Sequence, residues 1–458
     1  MKTTIKTILA LMALAVAPVA AMAQNTQSGY FVDDYTYRFQ MNPAMGNSKN
    51  FIGMPALSNV NVGFGGNLHL NSVLYNVNGR TTTFLNPGVS VAEAMSGFSD
   101  VNKIGTDIKL NVLSAGFKAF GGYNTVSINA RASVNASLPK SIFSLLKEGV
   151  SNSIYDIKDV RANAIGYAEL SLGHSRDINK HWRVGANVKL LVGAGSMSAD
   201  LTDAYLELGT DNWRVVSDGQ LRSSVKGLTY KHDVNKHTGH EYVSGIDVDG
   251  SGVNGYGLAL DLGAVYKAQF LKGLTLSASL LDFGFISWKN DMLASTNGRQ
   301  EFNTDRYTFN ADDDAANSFE NEWDKIRDDF SAIYELNDMG DAGGRSQMLH
   351  ATFNIGAQYE FPLYRKLTFG LLNTTRLAGE FTTTDFRVSA NVAPCKIFSC
   401  GANIGGGTYG FNFGWLMNLH VTGFNLFLGM DHTPGKLAKQ GVPLSSNGSV
   451  NLGMNFLF

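Results

Sequence analysis

Apolar and polar side chains trade places at every second position over long stretches of this chain. Val126, Ile128, Ala130, Ala132 and Val134 fall opposite Ser127, Asn129, Arg131, Ser133 and Asn135. Trp182, Val184, Ala186, Val188 and Leu190 fall opposite Arg183, Gly185, Asn187 and Lys189. Tyr256, Leu258, Leu260, Leu262, Ala264 and Tyr266 alternate with Gly257, Ala259, Asp261, Gly263 and Lys267; Phe386, Val388, Ala390 and Val392 alternate with Arg387, Ser389 and Asn391. A period of two belongs to β-strands. Each segment is roughly as long as a tilted strand must be to cross a bilayer. A Lys or Arg on the lipid side of such a strand costs about 2–4 kcal/mol at the midplane. The pattern therefore predicts that Arg131, Arg183, Lys189, Asp261 and Arg387 line the lumen of a closed antiparallel sheet, with Glu169 among them as a counter-charge.

The connections carry a second pattern. Strands are expected near 60–72, 105–118, 123–136, 163–174, 181–194, 197–209, 211–222, 255–268, 272–288, 348–361, 365–378, 382–393, 398–406, 409–419, 421–431 and 448–458. Long connections follow the first, third, seventh, ninth and fifteenth, and short turns follow the even-numbered strands. Long loops on one side and short turns on the other describe an all-β transmembrane barrel of about sixteen strands, and the parity puts both termini on the short-turn, periplasmic side. Fourteen is the alternative, because 197–222 and 398–431 divide in more than one way. Trp182, Tyr256, Tyr266 and Trp288 stand at strand ends, where an interfacial aromatic belt is required. The last segment, Asn451 to Phe458, sets Leu452, Met454, Phe456 and Phe458 on one face and Asn451, Gly453 and Asn455 on the other.

Composition agrees with this reading: 50 Gly, 28 Phe and 17 Tyr against 9 Pro suit many strands, tight turns and aromatic girdles. A net charge of −2 gives no reason to expect nucleic acid as a partner. Residues 1–23 read as a secretory signal peptide, with Lys2 and Lys6, an apolar run from Ile8 to Val19, and Ala21-Met22-Ala23 before Gln24. Residues 60–458 would form the barrel. Residues 24–59, with Asn42-Pro43-Ala44 and the bulky Tyr35, Tyr37 and Phe39, are expected as a hatch or strap at the periplasmic mouth. The longest loop, 289–347, carries Phe319, Trp323, Ile326, Phe330 and Ile333 at alternating spacings of four and three, one apolar stripe of an amphipathic helix. Short loop helices are expected around Ile142 to Leu146 and at 87–98.

Little in the chain suggests chemistry on substrates. His232, His237 and His240 share a polar loop at spacings that match no tight metal site, and Asp312-Asp313-Asp314 lacks the remainder of a calcium loop. Neither a cofactor, a metal nor an enzymatic activity is expected. Cys395 and Cys400 flank a turn between expected strands, and a disulfide clamping that turn is expected.

With Asn42-Pro43-Ala44, the strand Gly257-Leu-Ala-Leu-Asp-Leu-Gly-Ala264, the stretch Leu280-Leu-Asp-Phe-Gly-Phe-Ile-Ser-Trp288 and terminal Phe458 in view, the chain resembles the uncharacterised β-barrel family of Bacteroidetes outer membranes. It resembles more distantly the long-chain fatty-acid transporter superfamily and the barrel proteins of type IX secretion. These resemblances imply surroundings of outer-membrane lipid and lipopolysaccharide, and a barrel assembly machinery that reads Phe456 and Phe458. The transporter resemblance implies fourteen strands, an N-terminal hatch and a small, hydrophobic solute bound or passed. The secretion resemblance implies a plugged barrel that scaffolds or shuttles a surface or secreted protein partner, with the stripe at 319–333 as its docking element.

Overall fold

The computed structural model describes residues 27–149, 153–158, 160–208, 213–236, 239–296, 298–307, 324–326, 329, 333, 335–432 and 447–458. The expected signal peptide, together with Phe319, Trp323 and Phe330, lies outside these residues.

Among the described residues, 14 antiparallel strands close into one barrel. In chain order they are β1 (Asn59–Gly66), β2 (Val101–Ala119), β3 (Gly122–Pro139), β4 (Arg161–Asp177), β5 (Trp182–Leu208), β6 (Gly255–Lys267) and β7 (Leu274–Trp288). They continue as β8 (Thr352–Glu360), β9 (Leu367–Arg376), β10 (Thr383–Cys395), β11 (Phe398–Gly407), β12 (Gly410–Val421), β13 (Phe424–His432) and β14 (Gly448–Leu457). Each pairs with the next, and β14 returns to β1 with Val60 opposite Leu452 and Asn61 opposite Asn451. The short strand Phe51–Gly53 continues the β1 position toward the short-turn end, with Phe51 opposite both Leu457 and Gly116. Closure leaves no strand edge unpaired, which hydrocarbon demands because it offers the backbone no hydrogen bonds.

The alternation runs through the wall as read. Ile128, Val188, Leu190, Leu258, Leu262, Phe386 and Val388 are exposed on the outside, while Asn129, Asn187, Lys189, Asp261, Arg387 and Asn391 are buried inside. No described helix is long and apolar enough to cross a membrane. A barrel with an apolar exterior and a polar filling is the outer-membrane type of spanning structure.

The count settles at fourteen because two expected strands are not separate crossings. β5 runs unbroken through both 181–194 and 197–209. Its first half, Trp182–Gly193, pairs with β6, whereas Gly195–Leu208 pairs with Trp213–Val225 beyond the barrel rim. The alternating period continues when a strand leaves the membrane, so the pattern does not mark the exit. Met292–Ser295, Gln300–Asn303 and Asn337–Asp341 extend this outer sheet. Ile326 and Ile333 join Val215 and Phe302 in an apolar cluster there. The expected loop helices form at Val91–Ser96, where the Ser90 side chain caps Glu93 N–H, and at Lys140–Glu148. Phe98 and Phe143 stack with ring centroids 4.0 Å apart beneath them.

Two expectations are corrected. Trp288 does not belong to an outer belt. Leu281 and Asp282 of β7 share the position opposite Asp261 alone, a β-bulge with Asp282 at φ 57°, and the faces of β7 exchange beyond it. Trp288 consequently turns inward, 1% exposed, lies over Gly193 and donates its Nε1–H to Gln347 at 3.1 Å. Trp182 and Tyr256 do stand exposed outside. The expected disulfide is absent: Cys395 and Cys400 are free, since the pairing of the two strands puts Cys400 opposite Val392 and Cys395 opposite Phe398.

Candidate functional site

The lumen has two tiers. In the short-turn half it is filled by residues 27–50, folded as two short 3-10 turns (Gln27–Gly29 and Thr36–Gln40) and connecting bends. Tyr30, Phe31, Val32, Tyr35, Tyr37, Phe39, Met41 and Met45 form one buried cluster with Phe51, Tyr123, Leu372, Leu416 and Phe427 of the wall. An extended segment brings backbone groups that its own turns leave unbonded, and the wall supplies partners for them. Ser279 and Asn354 both donate to the Met41 carbonyl, at 2.8 and 3.1 Å, and Asn418 donates to the Asp34 carbonyl at 3.0 Å. The Tyr35 hydroxyl donates to Asn451 at 2.9 Å, and the Tyr37 hydroxyl lies 3.1 Å from Ser114 Oγ.

Asn42, Pro43 and Ala44 are wholly buried in this plug. Asn42 accepts from Ala44 N–H at 3.0 Å and donates its amide to the carbonyls of Ala264 and Ala278 at 3.4 and 3.2 Å. Pro43 and Ala44 rest on Gly185 and Gly263, which face each other across β5 and β6. Phe31 rests on Gly356 and Gly370, and Val32 on Gly401. A Cβ at any of these glycines would meet the plug. The segment expected as hatch, 24–59, thus divides: 27–50 fills the lumen, whereas Phe51–Gly53 is already wall. Arg183 stands beside Gly46 of the plug and donates to Ser175 Oγ at 3.3 Å.

Above the plug, charged residues cross the lumen in a belt. Arg131 reaches Glu169 at 3.2 Å and Asp282 at 2.8 Å. Lys189 reaches Asp261 at 2.7 Å and Asp282 at 2.6 Å. Asn129 donates to Glu169 at 2.9 Å, Asn187 donates to Asp261 at 2.8 Å, and the Asp282 backbone N–H donates to Asp261 at 2.7 Å. Buried ions of this kind persist only where each oxygen finds a donor. On the opposite wall, Arg387 reaches Asp431 at 3.1 Å and Asn403 at 3.0 Å. Asp431 also accepts from Gln27 N–H at 2.7 Å and from the Ser28 hydroxyl, so this second ion pair holds the first turn of the plug.

Of the lumen residues read from sequence, Arg131, Glu169, Lys189 and Asp261 come together in one network, Arg387 belongs to the second, and Arg183 stands apart at the short-turn end. Asp282, Lys109, Asp107, Arg376 and Asp431 were missed. Asp282 is hidden by its bulge, which breaks the period-two rule. Lys109 and Asp107 were legible, since they alternate with Ile108 and Leu110 inside an expected strand.

The long-loop half is open. One cavity is bounded by Phe64, Phe381, Tyr409, Asp385, Arg387 and Asp431. Its neighbour is bounded by Gln27, Lys109, Arg131, Tyr167, Asp282 and His350. Both touch the Asp107–Arg376 ion pair. His232 and His240 of the outer loops pair with Asp338 and Glu335, and the described residues hold no cluster suited to a metal ion.

A family model described as "Family of unknown function (DUF5723)" matches residues 43–431. No curated protein matches the chain. Among solved structures, the chain is similar to the Pseudomonas putida toluene transporter TodX, at 8% identity over 94% of this chain and 96% of that one, with a TM-score of 0.44. It is similar to the Ralstonia pickettii toluene transporter TbuX at 8% identity over 93% and 94%, TM-score 0.44. It is also similar to a Pseudomonas aeruginosa FadL homologue at 10% identity over 96% and 98%, TM-score 0.35.

Proposed function

The chain belongs to that family of unknown function, DUF5723, and on this premise we propose that it is an outer-membrane barrel that admits a small solute from outside the cell, with residues 27–50 as its hatch. The observation that carries this reading is the division of the lumen. The long-loop half holds open cavities, and the short-turn half is sealed by a segment seated through packing and hydrogen bonds rather than covalent links. In this reading the long loops face outward, and the short turns and both termini face the periplasm. The cavity walls mix aromatic rings, at Phe64, Phe381 and Tyr409, with ionic groups, at Asp107, Arg376 and Arg387. That mixture suits a solute with an apolar body and a polar group. Phe456 on the closing strand and Phe458 just past its end are both exposed, where an assembly machinery would read them.

Planar-bilayer recording tests the reading. Removal of residues 24–48 leaves Asn50 and the Phe51–Gly53 strand to complete the wall, and is expected to turn a quiet barrel into a steadily conducting one. Unchanged conductance in a folded deletion variant would overturn the hatch. A barrel that stays closed to small solutes with and without this segment would serve instead as a scaffold or shuttle for a surface or secreted protein.

A further inference from the structure

We propose that Lys109 anchors a carboxylate-binding site in the lumen cavity beside Arg131 and Tyr167, and that the admitted solute is a small monocarboxylate; this rests on the uptake reading above. Four adjacent strands put Asn61, Lys109, Arg131 and Tyr167 side by side in one row across the inner wall. Lys109 is only 8% exposed, and what surface it keeps borders the cavity. A buried ammonium is costly unless an anion meets it. The neighbouring carboxylates are already engaged. Glu169 is taken by Arg131 and Asn129, Asp282 by Arg131 and Lys189, and Asp261 by Lys189 and Asn187. Asp107, two positions along the same strand, is held by both terminal nitrogens of Arg376. The Lys109 ammonium has no hydrogen bond or ion pair at contact distance among the described residues, although every other cation of this belt has one.

Other groups that border the cavity fit the remaining needs of a carboxylate. Ser133 accepts a hydrogen bond from Asn135, which leaves its own hydroxyl proton to donate. Gln347 accepts from Ser196 and Trp288 through Oε1, which leaves its amide N–H groups to donate. Both border the cavity, and Ile165, Met348 and Leu349 give it an apolar side. Glu169 and Asp282 already act on the Lys109 charge through space, so a second negative charge on the solute would meet their repulsion with no further cation to offset it. The carboxylate would therefore sit on Lys109, with the apolar body of the solute against the wall beyond.

Calorimetric titration of the full barrel in detergent micelles tests this, with benzoate as the probe, benzamide as its neutral counterpart and inorganic phosphate as the other anion. Benzoate is expected to bind at least ten-fold more tightly than either. Lys109→Met should erase the preference, and Lys109→Arg should keep most of it. Lys109 also offsets the charge of Glu169 and Asp282 through space, so Lys109→Arg, which keeps that charge, separates loss of the site from loss of the fold. Equal binding of benzoate and benzamide, no benzoate heat at all, or undiminished preference in Lys109→Met would overturn the site. Benzoate flux into liposomes through the barrel lacking residues 24–48 separates the two readings. Flux without carboxylate preference removes the site and leaves uptake standing; preference without flux removes uptake and leaves the site.

Discussion

Replacing Gly185 and Gly263 together by valine should unseat the plug without harming the wall. Neither glycine has a positive φ, and valine favours strand geometry, so β5 and β6 lose nothing locally. The conflict lies in the lumen. A Cβ at Gly263 would stand 2.9 Å from both Ala44 N and Pro43 Cδ and closer still to the Asn42 side-chain oxygen. A Cβ at Gly185 would stand 2.6 Å from Ala44 N and closer still to the Pro43 carbonyl. Overpacking of this kind costs about 1–3 kcal/mol per site. The plug escapes it by lifting Asn42 and giving up its bonds to the wall carbonyls of Ala264 and Ala278, at a net loss of about 0.5–1.5 kcal/mol each. The wall is fixed by continuous ladders on both sides, so the plug is the part that yields. A shift of about 2–3 kcal/mol lowers the equilibrium constant for seating by about one and a half to two orders of magnitude, since each 1.4 kcal/mol is about ten-fold. In planar bilayers the double variant should show opening events that the unaltered barrel lacks. Protease added from the short-turn side should cut within 27–50 only in the variant. A folded double variant that is as silent and as protected as the parent would refute the seat.

Two further outcomes follow from the wall itself. Lys189→Met removes the cation shared by Asp261 and Asp282 and leaves buried charge uncompensated, so the guanidinium unfolding midpoint should fall by the equivalent of about 3–5 kcal/mol; an unchanged midpoint would mean that water or Arg131 already satisfies both carboxylates. Alkylation of protein from isolated envelopes, followed by intact mass, should count two reactive thiols at Cys395 and Cys400 without reductant; thiols that appear only after reduction would show a bond that the register of β10 and β11 argues against.

The barrel was legible because hydrocarbon outside and polar filling inside impose a rule at every residue, and the four quoted segments obey it to their ends. The rule fails where the backbone inserts a residue. Sequence parity puts Asp282 on the lipid side with Leu280 and puts Trp288 in the belt; the bulge opposite Asp261 reverses both, and a bulge leaves no mark in a pattern of residue types. The choice between sixteen strands and fourteen stayed open for a related reason. β5 keeps its alternation for its whole length, and only its change of partner, from β6 to Trp213–Val225, shows where the membrane crossing ends. The meeting of Arg131 with Glu169 and Asp282, and of Arg387 with Asp431, depends on closure and on β-strands far apart in the chain, which no local reading supplies.

The glycines tell more than composition suggested. Abundant glycine reads first as turns, and Gly121 and Gly423 serve in that way with positive φ. Yet Gly185, Gly263, Gly356, Gly370 and Gly401 lie within strands, each at an inward position beneath a plug residue. A strand facing water alone has no reason to give up its inward side chain, because glycine weakens it by leaving nothing to pack. The inward side chains at the plug level vary in size, small at Ser114, Ser277 and Ser279 and large at Tyr123, Leu372, Leu416 and Phe427 where they pack between plug residues, while the ionic network at Lys189 and Asp261 stands above it. Side-chain size along the inner wall therefore follows the outline of residues 27–50. A wall shaped to one segment in one position returns that segment to the same place whenever it moves, and a reversible hatch needs that of its frame.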